Sequence, residues 1–139
     1  ARHAACLNSA TTGHGSCAGL APGTWTSEVT GEIRRLRRRF AKTGWSVTSA
    51  WKVSRPVAGP LRTPDGVLFW YELEEELKYF NAKGHGPIVL SKELGALAGW
   101  REVLLQARII REHQFAAIVT AREIDVIASK SSSTKARAD

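Results

Sequence analysis

Pro64-Asp65 is followed, after ten intervening residues, by Glu76-Leu77-Lys78. Carboxylates are hard oxygen ligands that can hold Mg²⁺, which lowers the pKa of a bound water. A second constellation is the run Arg34-Arg35-Leu36-Arg37-Arg38-Arg39. Guanidiniums crowded onto one helix repel one another. Phosphate relieves that repulsion, because the planar fork of an Arg matches its oxygens. With Lys42, Lys52 and Arg55 close by in sequence, the expected nucleic-acid-binding residues are Arg34, Arg35, Arg37, Arg38, Arg39, Lys42, Lys52 and Arg55. A third set is His3-x2-Cys6 with His14-x2-Cys17, two doublets at zinc-ligand spacing. The surrounding segment has almost no apolar residues to pack around a metal, so zinc at His3, Cys6, His14 and Cys17 is not expected.

The Asp65 to Lys78 pattern, preceded by Glu32 on a helix and followed by a helix and a strand, resembles the PD-(D/E)xK nuclease superfamily. The resemblance spans about residues 28–120 and rests on four positions. It implies Asp65 and Glu76 as Mg²⁺ ligands, Glu32 as an accessory ligand and Lys78 as the water-organising base. Without that activity no cofactor is expected. The chain has no P-loop, G-x-G-x-x-G, H-E-x-x-H or G-x-S-x-G motif, so nucleotide-triphosphate, dinucleotide and serine-hydrolase chemistries have no support.

These residues need elements to hold them. Val29, Ile33, Leu36 and Phe40 recur at helical spacing and predict a helix over 28–42, with Ser27 as its cap and Gly44 as its stop. Trp45, Val47, Ser49, Trp51 and Val53 share one face of a predicted strand. Residues 54–66, with three prolines and Asp65-Gly66, predict a loop, and Val67–Leu73 a buried strand. Residues 72–80 fit a helix or a strand equally. Ser91 is placed to cap a short helix ending at Gly99, and a second helix is predicted over Trp100–Glu112. That pair loosely resembles a helix-turn-helix. Phe115–Thr120 and Ile124–Ala128 read as strands. Residues 1–23 read as a flexible arm, 24–128 as one globular domain and 129–139 as a disordered tail. The expected fold is α/β or α+β, a single small domain with a mixed sheet flanked by helices.

The chain has 139 residues, 43% apolar, 24% charged, with five Trp. That suffices for one core. No apolar run approaches the length of a membrane-spanning helix. The net charge of +7 is uneven: residues 28–63 hold nine Lys/Arg against Glu28 and Glu32, and 64–80 hold five acids against Lys78. The expected function is a basic nucleic-acid-binding protein, a non-catalytic subunit of a ribonucleoprotein or related complex, with RNA or DNA as partner. One alternative is the Mg²⁺-dependent nuclease. Another is a structural subunit that contacts other proteins in a larger assembly. The acid-poor arm resembles the end of an organellar transit peptide as much as a plain tail, so an intracellular setting, mitochondrion or plastid included, is among the expectations. The main rival to phosphate binding is internal, with the arginines answered by Glu72–Glu76.

Overall fold

Alternation decides the ambiguous segment. Leu73, Glu75 and Leu77 are buried, while Glu72, Glu74, Glu76 and Lys78 between and beyond them are more open. A period of two belongs to a strand. In the computed structural model these residues lie in β2 (Gly66–Asn81). The structure describes the backbone of residues 1–139 and every side chain except those of residues 56–59. β1 (Trp45–Thr63) precedes β2 across a tight turn, and β5 (Gln106–Val119) and β6 (Ile124–Ala138) follow. The four form one antiparallel sheet in the order β1-β2-β5-β6. Between β2 and β5, a two-stranded ribbon of β3 (Ile88–Val89) and β4 (Glu102–Val103) brackets α3 (Lys92–Ala98). Two N-terminal helices, α1 (Arg2–Thr12) and α2 (Val29–Ala41), pack on the sheet, joined through a π-helical turn at Thr24–Glu28. The architecture is a single α+β domain, one of the two expected classes, with an antiparallel sheet in place of the expected mixed one.

α2 starts and stops close to its predicted limits. Ile33 is buried, and Val29, Leu36 and Phe40 are partly buried towards the sheet. Ser27 does not cap it; its hydroxyl instead bonds back to Gly23. Gly44 closes the helix at φ 79, a left-handed conformation that disfavours other residues. A Cβ there would also collide with the His85 ring. α3 is capped as predicted, the Ser91 hydroxyl accepting from the Leu94 N–H at 3.2 Å.

Several segments depart from expectation. Residues 1–23, expected as an arm, supply α1 and part of the core. Cys6 and Leu7 are wholly buried, and Cys6 is bridged to Cys17 by a disulfide. Small residues at Ala4 and Ala10 allow close packing, so a segment poor in large apolar groups can still be a buried helix. His3 is buried between the Tyr71 hydroxyl at 2.8 Å and the Trp25 carbonyl at 2.7 Å. Burial lowers the pKa of His3, an effect only partly offset by the bond to the Trp25 carbonyl. Residues 54–63, expected as loop, continue β1 with shifted registers after Val53; an edge strand tolerates proline because one side of its backbone needs no ladder bond. Trp100–Glu112, expected as a helix, holds β4 and the start of β5. Ala107 and Ile109 face inward while Arg108 faces out, a period the doublets Leu104-Leu105 and Ile109-Ile110 conceal. The helix-turn-helix reading goes with it, since among the described residues no second helix follows α3. Residues 129–138, expected as tail, pair with β5 through their backbone, which polar side chains do not prevent.

The disulfide pins α1 to the chain leading into α2. A loop of this size restricts the unfolded chain by roughly 3 kcal/mol. Cys6→Ser/Cys17→Ser, or the wild type under strong reductant, is expected to lose about that much in a urea unfolding series. An unchanged urea midpoint would mean that the bridge does not anchor α1.

Candidate nucleic-acid interface

The arginines of α2 divide by position. Arg34, Arg35, Arg38 and Arg39 are exposed. Arg37 is half-buried and bonded within the protein: its Nε donates to the Val47 carbonyl at 3.2 Å and its Nη1 to the Ala10 carbonyl at 3.0 Å. It therefore ties α2 to α1 and to the outer edge of β1. Asn8 and Thr11 of α1 cover the same edge further along, through bonds to the backbone of Trp51 and Ser49. Covering an edge in this way blocks strand addition by another chain.

A groove of about 450 Å³ runs between α2 and β1, lined by Arg34, Arg37 and Arg38 on one side and by Trp45 and Ser46 to Thr48 on the other. Ser46 and Thr48 are exposed there, while Trp45 is 2% exposed and serves the core. Trp51 is likewise buried. Neither Trp is available to stack on a base.

The acids of β2 do not answer these arginines. Glu72 pairs with Arg55 at 3.4 Å and accepts from Gln114 at 3.0 Å. Glu74 pairs with Lys52 at 2.9 Å. Glu76 accepts from Arg108 at 2.6 Å and pairs with Lys78 at 3.0 Å. Among the described residues, no ion pair involves Arg34, Arg35, Arg37, Arg38 or Arg39. Lys52 and Arg55, expected beside them as phosphate contacts, are instead engaged by the strand acids. Lys42 is exposed just past the end of α2.

Asp65, Glu76, Lys78 and Glu32 are not brought together as a set. Asp65 lies in the turn between β1 and β2, and Glu76 lies in the body of β2. At about 3.3 Å per residue, the two are about 35 Å apart along the strand. Glu32 sits on α2. Lys78 meets Glu76 as a neighbour on one face of the strand. Among the described residues, no three His, Cys, Asp or Glu side chains form a metal-holding group. With Cys6 and Cys17 joined in a disulfide, neither offers the thiolate that zinc would need.

The inner face of the sheet holds a polar cluster that the motif reading missed. Glu75 is 4% exposed, yet its Oε1 accepts from the Ser49 hydroxyl at 3.0 Å. Its Oε2 lies 3.1 Å from His113 Nε2 and 3.9 Å from Arg111 Nη1. Burying a carboxylate costs on the order of several kcal/mol, which these bonds offset. The Trp51 ring lies 4.5 Å from that of His113, and its Nε1–H has no acceptor among the described residues. An orphaned buried donor costs about 1–3 kcal/mol. The available signal was parity: Glu75 shares its strand face with Leu73 and Leu77.

No family model, curated protein or solved structure matches the chain.

The Arg108 guanidinium holds the Glu76 carboxyl below its ordinary value; partial burial pushes the other way and Lys78 adds to the lowering. A lowered folded-state pKa stabilises the protein above the unfolded value and is lost as pH falls through the folded value. The stability gap between wild type and Glu76→Gln should therefore be constant above about pH 5 and shrink below about pH 4. Urea midpoints at a series of pH values measure it, and a gap that widens on acidification contradicts the assignment.

Proposed function

We propose that this protein binds nucleic acid through the exposed side of α2 and the adjoining groove along β1. One observation carries the reading: the strand acids are engaged elsewhere, and the α2 arginines are left without carboxylate partners. Arg34 and Arg38 lie one helical turn apart, as do Arg35 and Arg39, so two parallel pairs of guanidiniums face outward. The exposed Ser46 and Thr48 hydroxyls on the opposite wall add hydrogen-bonding groups suited to phosphate oxygens. With both nearby Trp buried, affinity comes from the phosphate backbone and not from base stacking, so the contact is tolerant of sequence.

The assembly reading has its own support. Five large apolar side chains, Val89, Leu97, Trp100, Leu104 and Leu105, are exposed within residues 89–105. Such exposure suits a protein partner. In that reading the isolated chain binds nucleic acid poorly.

Fluorescence anisotropy with labelled single-stranded RNA and DNA, at increasing salt, tests the proposal. The binding constant should fall with salt at a log–log slope of about −2 to −3, as three or four phosphate contacts on a single strand require. Replacing Arg34, Arg35, Arg38 and Arg39 together by Gln should remove most of the affinity and flatten the slope. Lys52→Gln, on a side chain engaged by Glu74, should change neither. A salt-independent constant, or tight binding to a sulfated polysaccharide with none to either oligonucleotide, would sink the proposal.

A further inference from the structure

Between α2 and the sheet lies a second cavity, of about 440 Å³. Leu7 of α1, Ile33 and Leu36 of α2, and Leu77 and Phe115 of the sheet give it apolar walls. The polar cluster of Glu75, Arg111 and His113 forms its floor, with Ser129 and Ser131 of β6 alongside. A concave apolar site with a few convergent polar groups is the usual form of a small-molecule site. Nothing in the nucleic-acid reading uses it.

The floor is chemically organised. Both oxygens of Glu75 are occupied, one by Ser49 and the other by His113 Nε2. A carboxylate on Nε2 fixes the proton there and leaves Nδ1 with a lone pair. Nδ1 has no hydrogen-bond partner among the described residues, yet it is not one of the sealed polar atoms. Nδ1 is thus a free acceptor on a side chain that lines the cavity. Arg111 brings a fixed positive charge to the same floor, and the unpartnered Trp51 N–H belongs to a ring in the same wall. The titratable groups around His113 are Glu75 and Tyr79 on β2, Arg111 on β5, Glu32 on α2 and His3 on α1.

We propose that this cavity binds a ring-sized, mostly apolar molecule carrying one acidic hydroxyl, a phenol or an enol, and that His113 takes its proton. In that step the ligand O–H bond breaks and an Nδ1–H bond forms. The electron pair stays on the ligand oxygen. The imidazolium so formed is held by Glu75, and the oxyanion is balanced by Arg111. The apolar walls receive the ring. A ligand with no hydroxyl gains only the wall contacts and binds more weakly.

4-Nitrophenol is a suitable probe, because its phenolate absorbs visible light and its neutral form does not. Titrating the intact, disulfide-bonded protein into the probe about one pH unit below the probe's own pKa should raise the phenolate band, saturably and with one site. 4-Nitroanisole, which lacks the hydroxyl, should bind at least tenfold more weakly. His113→Phe keeps an aromatic side chain in the wall and should bind the probe without raising the band. Glu75→Gln should weaken the rise at least tenfold, with circular dichroism confirming that each variant is folded. If a variant does not fold, the wild type still decides the matter by the nitrophenol-to-nitroanisole comparison. No saturable binding, or binding in which the band does not rise, overturns the proposal. So does a band that rises equally in His113→Phe. The α2 four-Gln variant should bind 4-nitrophenol as the wild type does, which separates failure here from failure of the nucleic-acid reading.

Discussion

The pairing of β2 with β5 governs the rest of the molecule. It runs from Val67 against Val119 to Phe80 against Gln106 with no break in register. A slip of one residue would exchange every inward side chain for an outward one. Because it does not slip, Leu73, Leu77, Ile109 and Phe115 all reach the core, and the acids at Glu72, Glu74 and Glu76 emerge together on the other face. There they meet Arg55, Lys52 and Arg108. The charge pattern of α2 is a consequence: the strand acids are satisfied within the sheet, so the helix keeps its positive charge.

The same register places one carboxylate where it is least comfortable. Glu75 breaks the apolar face between two core clusters, one around Leu7, Trp51 and Phe115 and the other around Trp45, Leu77 and Ile109. A leucine there would join the two clusters into one core. The chain instead retains a buried carboxylate with a hydroxyl, an imidazole and a guanidinium arranged about it. Well-packed hydrophobic residues often replace a buried ionic group at no cost in stability, so stability alone gives no reason for this cluster. The cluster lies on the floor of the cavity between α2 and the sheet.

The N-terminal segment completes the sheet. Its helix contributes Leu7 to the core, and its polar side chains cover the free edge of β1 together with Arg37 from α2. Residues that look featureless in composition thus do two jobs, packing and edge protection. Arg37 shows the same economy, since one arginine of a uniform run is structural and its neighbours are exposed.

The sequence by itself determined the local elements with a strong, unmixed period: α2 with its apolar stripe and glycine stop, the first half of β1, and α3 with its Ser91 cap. It also located the basic excess, because charge is a property of composition. It left open whatever depends on a partner distant in the chain. The state of residues 72–80 was undecidable because helical and strand spacings coincide there; pairing with β5 decides it. The strand character of residues 106–112 and 129–138 comes from backbone bonds across the sheet, which side-chain patterns record only weakly. Burial of α1 depends on a cysteine eleven residues away and on a sheet face built later in the chain. The polar cluster draws Ser49, Glu75, Arg111 and His113 from three strands. No motif spacing can reveal such a set, because register across strands, and not distance along the chain, is what brings it together.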